Sequence, residues 1–409
     1  MVYWGKQCGI ETCDGFDILP QQLDNTFPPT TDWTTMATQD IYQDDPVLYV
    51  SGDMILSSQN LRQELGYLHE AEEVVISLTK GTDSDTRLLI EYLYLIVKIL
   101  YELQQGESSA YYPWLKSLPQ VFSNGASMTQ TCFDCLPPLA SKLALKERSH
   151  LQALVKSRAL SKLPFPINTD YAEWAFNIIA TRSMEEEVFV DCDLEQMSDE
   201  EEPILNVRIV PIADYFNHDS DPNVYLNFDE AGNCFAQAIR DVPVGSPLTI
   251  QYADPTNPSF LLARYGFLDE SAPATYCKYE VAHADAKLKD IGYAENRMLF
   301  YPHTGEVSNE VFNVLLYKFL NAKQRRDLYQ AVMTGNVDLV QAFQEEFWPQ
   351  TSRILLEHID GFVGELDRLN NKAYKFDVSQ HPRLPLILKH NQFVRDTFLR
   401  VRERYFGDY

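Results

Sequence analysis

The spacing of the apolar residues changes three times along this 409-residue chain, and that alternation limits what it can fold into. The first sixty residues carry short apolar runs set off by turn signals. Pro46–Val50 follows Asp44-Asp45, residues 54–56 follow Gly52-Asp53, and Pro28-Pro29 marks a loop. Such runs read as short strands. Then Leu89, Leu93, Ile96, Leu100 and Leu103 recur at helical spacing, with Ser84 or Asp85 as the N-cap and Gly106 as the stop. Further helices are expected over 142–160 and 171–180, the second begun by Thr169 or Asp170. Strand signals return after residue 204: 224–228 and 234–239 flank the turn Asp229-Glu-Ala-Gly-Asn233, and 248–252 follows Gly245. Past residue 276 the period is helical again, in stripes such as Phe312, Leu315, Leu316, Phe319 and Leu355, Ile359, Phe362, Leu366, Leu369. A last stripe is Val394, Phe398, Val401, Tyr405. The expected class is α+β: short sheets interrupted by a helical insertion, followed by an all-α region.

Charge narrows the partners. Against 59 Asp and Glu the chain sets 34 Lys and Arg, a net charge of −25. An acidic surface repels phosphate backbones and speaks against nucleic acid, whereas it would steer a basic protein inward. Solubility is the simpler role for such a charge. The segment 197–203 (MSDEEEP) is expected as a solvated acidic loop. Seven cysteines at uneven spacing (8, 13, 132, 135, 192, 234, 277) point to a reducing compartment. Cys132-Phe-Asp-Cys135 has no second ligand pair at zinc spacing, so it is expected to be structural, with no metal. Residues 88–103 are interrupted by Glu91, Lys98 and Glu102, which excludes a membrane span there. The chain is expected as a soluble monomer in the cytoplasm or nucleus, or in a plastid if a targeting extension precedes it.

The chemistry concentrates in 211–267. Asp214, Asn217 and His218 lie within five residues, Pro222-Asn223 follows, and Tyr252, Tyr265 and Phe267 come after the hairpin. Taken singly, each has an ordinary reading as a cap, an Asx turn or a core aromatic. In this order, PIADYFNHDSDPN…QYADPTNPSFLLARYGF resembles the C-terminal half of SET-domain lysine methyltransferases. Trp174-Ala…Ala180-Thr-Arg182-Ser and SAYYPWLKSLP at 109–119 are similar to the subgroup of the Rubisco large-subunit methyltransferase. That subgroup has a helical insertion and a helical C-terminal domain.

The resemblance implies four segments: 1–80 as the first part of the SET domain, 81–165 as the insertion, 166–275 as its second part, and 276–409 as a helical substrate-binding domain. It implies S-adenosylmethionine as cofactor, held by Asn217 and His218, with Arg182 on its carboxylate, Asp214 bracing the turn and Phe267 packing on the adenine. Tyr252 matches the catalytic tyrosine, Tyr265 the tyrosine lining the lysine channel, and Met184 an apolar contact to the substrate. The implied reaction is methylation of a lysine on a non-histone protein. Two alternatives stand beside it: a histidine acceptor, and a SET-like binding module with weak or no catalysis. The module is favoured by one departure. Before Ala37-Thr-Gln-Asp40-Ile41, where the family places Gly-x-Gly, this chain has Asp32 and Thr34. Ser57-Ser58 likewise stand where some relatives place an acid.

Overall fold

The computed structural model describes residues 1–23, 30–79, 83–163, 166–188, 204–281 and 284–407. The Pro28-Pro29 loop, Cys192 and the acidic segment 197–203 lie outside these residues. The chain divides into two compact units. One comprises Met1–Asp24, Pro29–Ser127 and Leu145–Tyr252, and the other includes Met128–Ala144 and Ala253–Tyr409.

The first unit is built from several small sheets, because its strands are too short and too often interrupted to form one large sheet. In chain order they are β1 (Glu11–Thr12), β2 (Phe16–Leu23), β3 (Thr30–Ala37), β4 (Pro46–Val50), β5 (Leu56–Ser57), β6 (Met184–Val188), β7 (Ile204–Ile209), β8 (Asn217–His218), β9 (Val224–Phe228), β10 (Cys234–Ala238) and β11 (Thr249–Ile250). They pair as β1-β4-β10-β9, β5-β7-β6, the hairpin β2-β3, and the pair β8-β11. The hairpin β9-β10 turns where the sequence places it. Asp229 accepts from the Asn233 backbone N–H at 2.8 Å, an Asx-type closure of the five-residue turn. The strand expected over 248–252 shrinks to Thr249–Ile250, because it runs parallel to β8 and only two residues of β8 are there to pair with.

Helices pack these sheets into one core. Ser84–Gln105 is capped by Asp83, one residue before Ser84 and two before Asp85, the expected caps: Asp83 accepts from Thr86 N–H at 2.9 Å. It stops at Gly106, whose φ of 54° favours glycine. Its apolar face, with Leu89, Leu93, Ile96 and Leu100, is buried. The helix expected from 171 runs Thr169–Arg182, capped by Asn168 rather than Thr169 or Asp170, through bonds to the N–H groups of Asp170 and Tyr171. The helix expected over 142–160 is Pro138–Leu154. For the helices at 84 and 169 the start is ambiguous by a residue or two because several polar residues in a row are all plausible caps.

The second unit is helical, and its longest elements are Val337–Ala373 and Leu384–Phe406. The predicted stripes face inward: Leu355, Ile359, Leu366, Val394, Phe398 and Val401 are all buried. Phe319 falls beyond the end of its helix, Asn309–Tyr317. Cys132 and Cys135 are buried in a short apolar cluster with Phe133 and Leu136. Among the described residues no group of side chains is placed to hold a metal ion, and no helix is long and apolar enough to cross a membrane.

Buried polar groups in this unit form one directed chain. Lys278 Nζ donates to Ser259 Oγ at 3.1 Å, and Ser259 lies 3.0 Å from His390 Nε2. His390 Nδ1 lies 3.3 Å from Asn391 Oδ1, and Asn391 Nδ2 donates to the Cys135 carbonyl at 3.0 Å. A carbonyl can only accept, so Nδ1 carries the proton and Nε2 accepts from the serine. A neutral His390 fits this chain, its Nε2 taking the serine proton. Burial, reinforced by the Lys278 charge, pushes the His390 pKa down to about 3, which agrees. Burial also lowers the Lys278 pKa to about 8, against the opposing pull of Glu295 and Cys277. Tyr276 lies beneath the ammonium, 5.6 Å from ring centroid to Nζ.

A depressed lysine pKa favours the neutral form in the fold. Its contribution is present above pH 10.5 and is lost as pH falls through about 8. Lys278→Met should therefore gain on the parent by up to about 3 kcal/mol between pH 10 and pH 7. Urea unfolding at the two pH values measures this, and an unchanged difference would refute the assignment.

Candidate active site

Residues far apart in sequence meet around the stretch 210–218. β7 ends at Ile209, and the chain reverses through Ile212, whose φ of 74° is a costly conformation for a β-branched residue. A single 3-10 turn, Ala213–Tyr215, follows and delivers Asn217 and His218 to β8. Asp214, expected only to brace this turn, does more. Its carboxylate is wholly buried and accepts from Trp114 Nε1 at 3.2 Å on each oxygen. Trp114 belongs to the 109–119 segment of the insertion, so the motif there is tied directly to the site.

Arg182 ends the helix Thr169–Arg182, with its side chain 11% exposed. Its Nη1 donates to the Asp214 carbonyl at 2.5 Å and lies 3.3 Å from Asp214 Oδ2. Its guanidinium sits 5.7 Å over the Tyr215 ring. Tyr215 in turn hydrogen-bonds Ser117. Burial works against the Arg182 charge, but Asp214 and Asp32 outweigh it and raise the pKa. Burial drives Asp214 the other way for an acid, up to about 6, although Arg182 and Trp114 oppose it. Arg182 Nε is buried and has no hydrogen-bond partner among the described residues. Among the described residues Nη2 has one distant partner, Asp32 Oδ1 at 3.6 Å. The Nε–Nη2 edge is the fork that guanidinium offers to a carboxylate, and here it is unfilled by hydrogen bonds.

The other side of the same stretch holds Tyr252. The parallel pairing of β8 with β11 sets His218 beside Ile250, two residues before the tyrosine. Tyr252 N–H donates to His218 Nδ1 at 3.1 Å, and its hydroxyl donates to the Phe216 carbonyl at 2.6 Å. The two rings lie 5.5 Å apart. Since Nδ1 accepts, a neutral His218 carries its proton on Nε2. Tyr252 is also near enough to act on the charge of Arg182. Asp214, His218, Arg182 and Tyr252 are therefore parts of one cluster.

The other expected residues lie on these elements. Met184 opens β6, opposite Arg208 of β7, and is half-buried. Tyr265 and Phe267 belong to the second unit. Tyr265 ends the helix Pro258–Tyr265, Gly266 caps it at φ 80°, and the two aromatic rings lie 6.2 Å apart. Asp32 and Thr34 are two residues apart on β3 and so share a face, the one that Asp32 turns to Arg182. Ser57 and Ser58 are buried and turned to Asn206. Sequence reasoning missed Trp114 as the partner of Asp214 and Asp32 as a partner of Arg182. The motif around Trp114 was visible, but nothing local in it names the distant acid.

Removing the buried carboxylate strands two donors at once. Asp214→Ala should cost about 3–5 kcal/mol of stability, and Asp214→Asn clearly less because it keeps an acceptor. Guanidinium unfolding curves decide this, and a loss under about 1 kcal/mol for the alanine variant would contradict the pairing.

The SET domain family model matches residues 32–253, more than half of the chain. A curated relative, SET domain-containing protein 4 of Artemia parthenogenetica, is 25% identical over 195 residues, 46% of this chain and 46% of that protein. The chain thus spans about half the length of that relative. The SET domain of LSMT bound to lysine and AdoHcy superposes with a TM-score of 0.58 at 14% identity, covering 100% of this chain and 92% of that one. Rubisco LSMT bound to AdoMet gives 0.56 at 15% identity, covering 98% and 89%. The fold is that of these structures, with short SET sheets and helices in the C-terminal region. On the family match, the chain belongs to the SET domain family.

Proposed function

We propose that this chain is a protein-lysine N-methyltransferase that uses S-adenosylmethionine and acts on a non-histone protein. The observation that carries the reading is the double tether of Tyr252. Its one hydroxyl proton is committed to the Phe216 carbonyl, so toward any further group the phenol oxygen acts as an acceptor. An acceptor at that point suits an amine N–H or the polarised hydrogens of a methyl group. Its backbone bond to His218 fixes the ring against the segment that also carries Asp214.

Arg182 fits the cofactor, since its buried, unfilled Nε–Nη2 edge matches a carboxylate. Asn217 and His218 would hold the rest of it, and Asp214 keeps Arg182 in place. Bound S-adenosylmethionine supplies an electrophilic methyl group on a sulfonium. The chain's part is to orient a neutral amine, at roughly 3–3.5 Å from its target, and to exclude water. A lysine, with an ordinary pKa of about 10.4, loses its proton more readily in an apolar channel. Lysine as the acceptor draws support from the bound lysine in the LSMT structure of the same fold. The net charge of −25 suits a basic segment on the substrate protein.

A second reading, a binding module with weak catalysis, is favoured by the Asp32 carboxylate facing Arg182. Calorimetric titration of S-adenosylmethionine separates the two, and no heat at millimolar ligand would sink the enzyme. Given binding, Tyr252→Phe should lower transfer of a labelled methyl group to proteins of a cell extract by about a hundredfold or more, with affinity nearly unchanged. A variant of full activity would remove Tyr252 from the reaction.

A further inference from the structure

Asp32 stands at the cluster with an arrangement that an obstructing side chain does not need. Its Oδ1 accepts from the Trp33 backbone N–H at 2.8 Å, which fixes the carboxylate. That same oxygen is 3.6 Å from Arg182 Nη2, close enough for charge attraction but too long for a hydrogen bond. The carboxylate side chain is 25% exposed, so it remains within reach of a ligand. Two opposite charges are thus held side by side without closing on each other.

The charge balance says what such a pair selects. Arg182 already faces the Asp214 carboxylate, so the guanidinium and its two acids sum to one net negative charge. A ligand that brought only a carboxylate to the Nε–Nη2 edge would add a third negative charge within a few ångströms. A ligand carrying an ammonium beside its carboxylate adds none. An α-amino acid has both groups on one carbon, so its receptor needs a cation and an anion as near neighbours.

We propose that Asp32 receives the α-ammonium group of S-adenosylmethionine, so that Asp32 and Arg182 together read the amino-acid end of the cofactor as a zwitterion. This rests on the reading of the cluster as the cofactor site. Asp32 is then a specificity-determining residue: it rewards ligands that retain the ammonium. Thr34, on the same strand face, contributes no charge.

The test is calorimetry on the full chain with S-adenosylhomocysteine and its des-amino analogue, each for the parent and Asp32→Asn, with melting temperatures to confirm the fold. The parent should prefer S-adenosylhomocysteine by about tenfold or more. Asp32→Asn should lose about tenfold for that ligand and stay within about twofold for the analogue. If Asp32→Asn binds S-adenosylhomocysteine as well as the parent or more tightly, Asp32 competes with the ligand carboxylate and the proposal is overturned. The parent's preference between the two ligands needs no variant, and an equal affinity for both overturns the proposal as well. A parent that binds neither ligand would overturn the cofactor reading itself, an outcome distinct from a failure confined to Asp32.

Discussion

Everything at the site depends on a guanidinium placed where water hardly reaches it. An isolated buried cation is prohibitively costly, so Arg182 must be met by acid and by carbonyl oxygen, and Asp214 supplies both from one residue. Meeting it forces Asp214 to be buried as well, and that in turn requires the indole of Trp114. The helical insertion, the end of the helix Thr169–Arg182 and the 210–218 stretch are thereby fixed together. None of the three could be displaced without leaving a buried polar group unpaired.

That constraint also reaches the proposed chemistry. Two residues after Asp214, the Phe216 carbonyl takes the Tyr252 hydroxyl, and two after that, His218 takes the Tyr252 backbone N–H. A stretch anchored by an ion pair on one side therefore sets the tyrosine on the other. The strained φ of Ile212 lies just before it, at the point where β7 must reverse into this stretch. Strain of this kind persists where surrounding contacts over-determine the backbone.

Much of this was legible in the sequence, for reasons that differ by residue. The helical stripes could be read because each is a local period, and Leu93 or Val394 needs no distant partner to declare itself as core. The hairpin around Asp229–Asn233 was legible through its turn residues. The order of Asp214, Asn217, His218 and Tyr252 was readable through its resemblance to a family. Pairings across long sequence separations were not. Trp114 meets Asp214 across a hundred residues, and Asp32 meets Arg182 across a hundred and fifty. No local pattern encodes either. Asp32 was visible only as a departure from a glycine pattern, which reads as obstruction until its neighbour is known. Helix caps failed for a smaller reason: Asn168, Thr169 and Asp170 are all good caps, and only the bonds formed decide among them.

The central claim is that the Nε–Nη2 edge of Arg182 is the receptor for the cofactor's carboxylate, held ready by Asp214. A crystal structure of the protein grown with S-adenosylhomocysteine tests it most directly. The account predicts the ligand carboxylate in a two-point bond to that edge, with Asp214 still on Nη1. A ligand carboxylate bound elsewhere, with the Arg182 edge left to Asp32 alone, would contradict it.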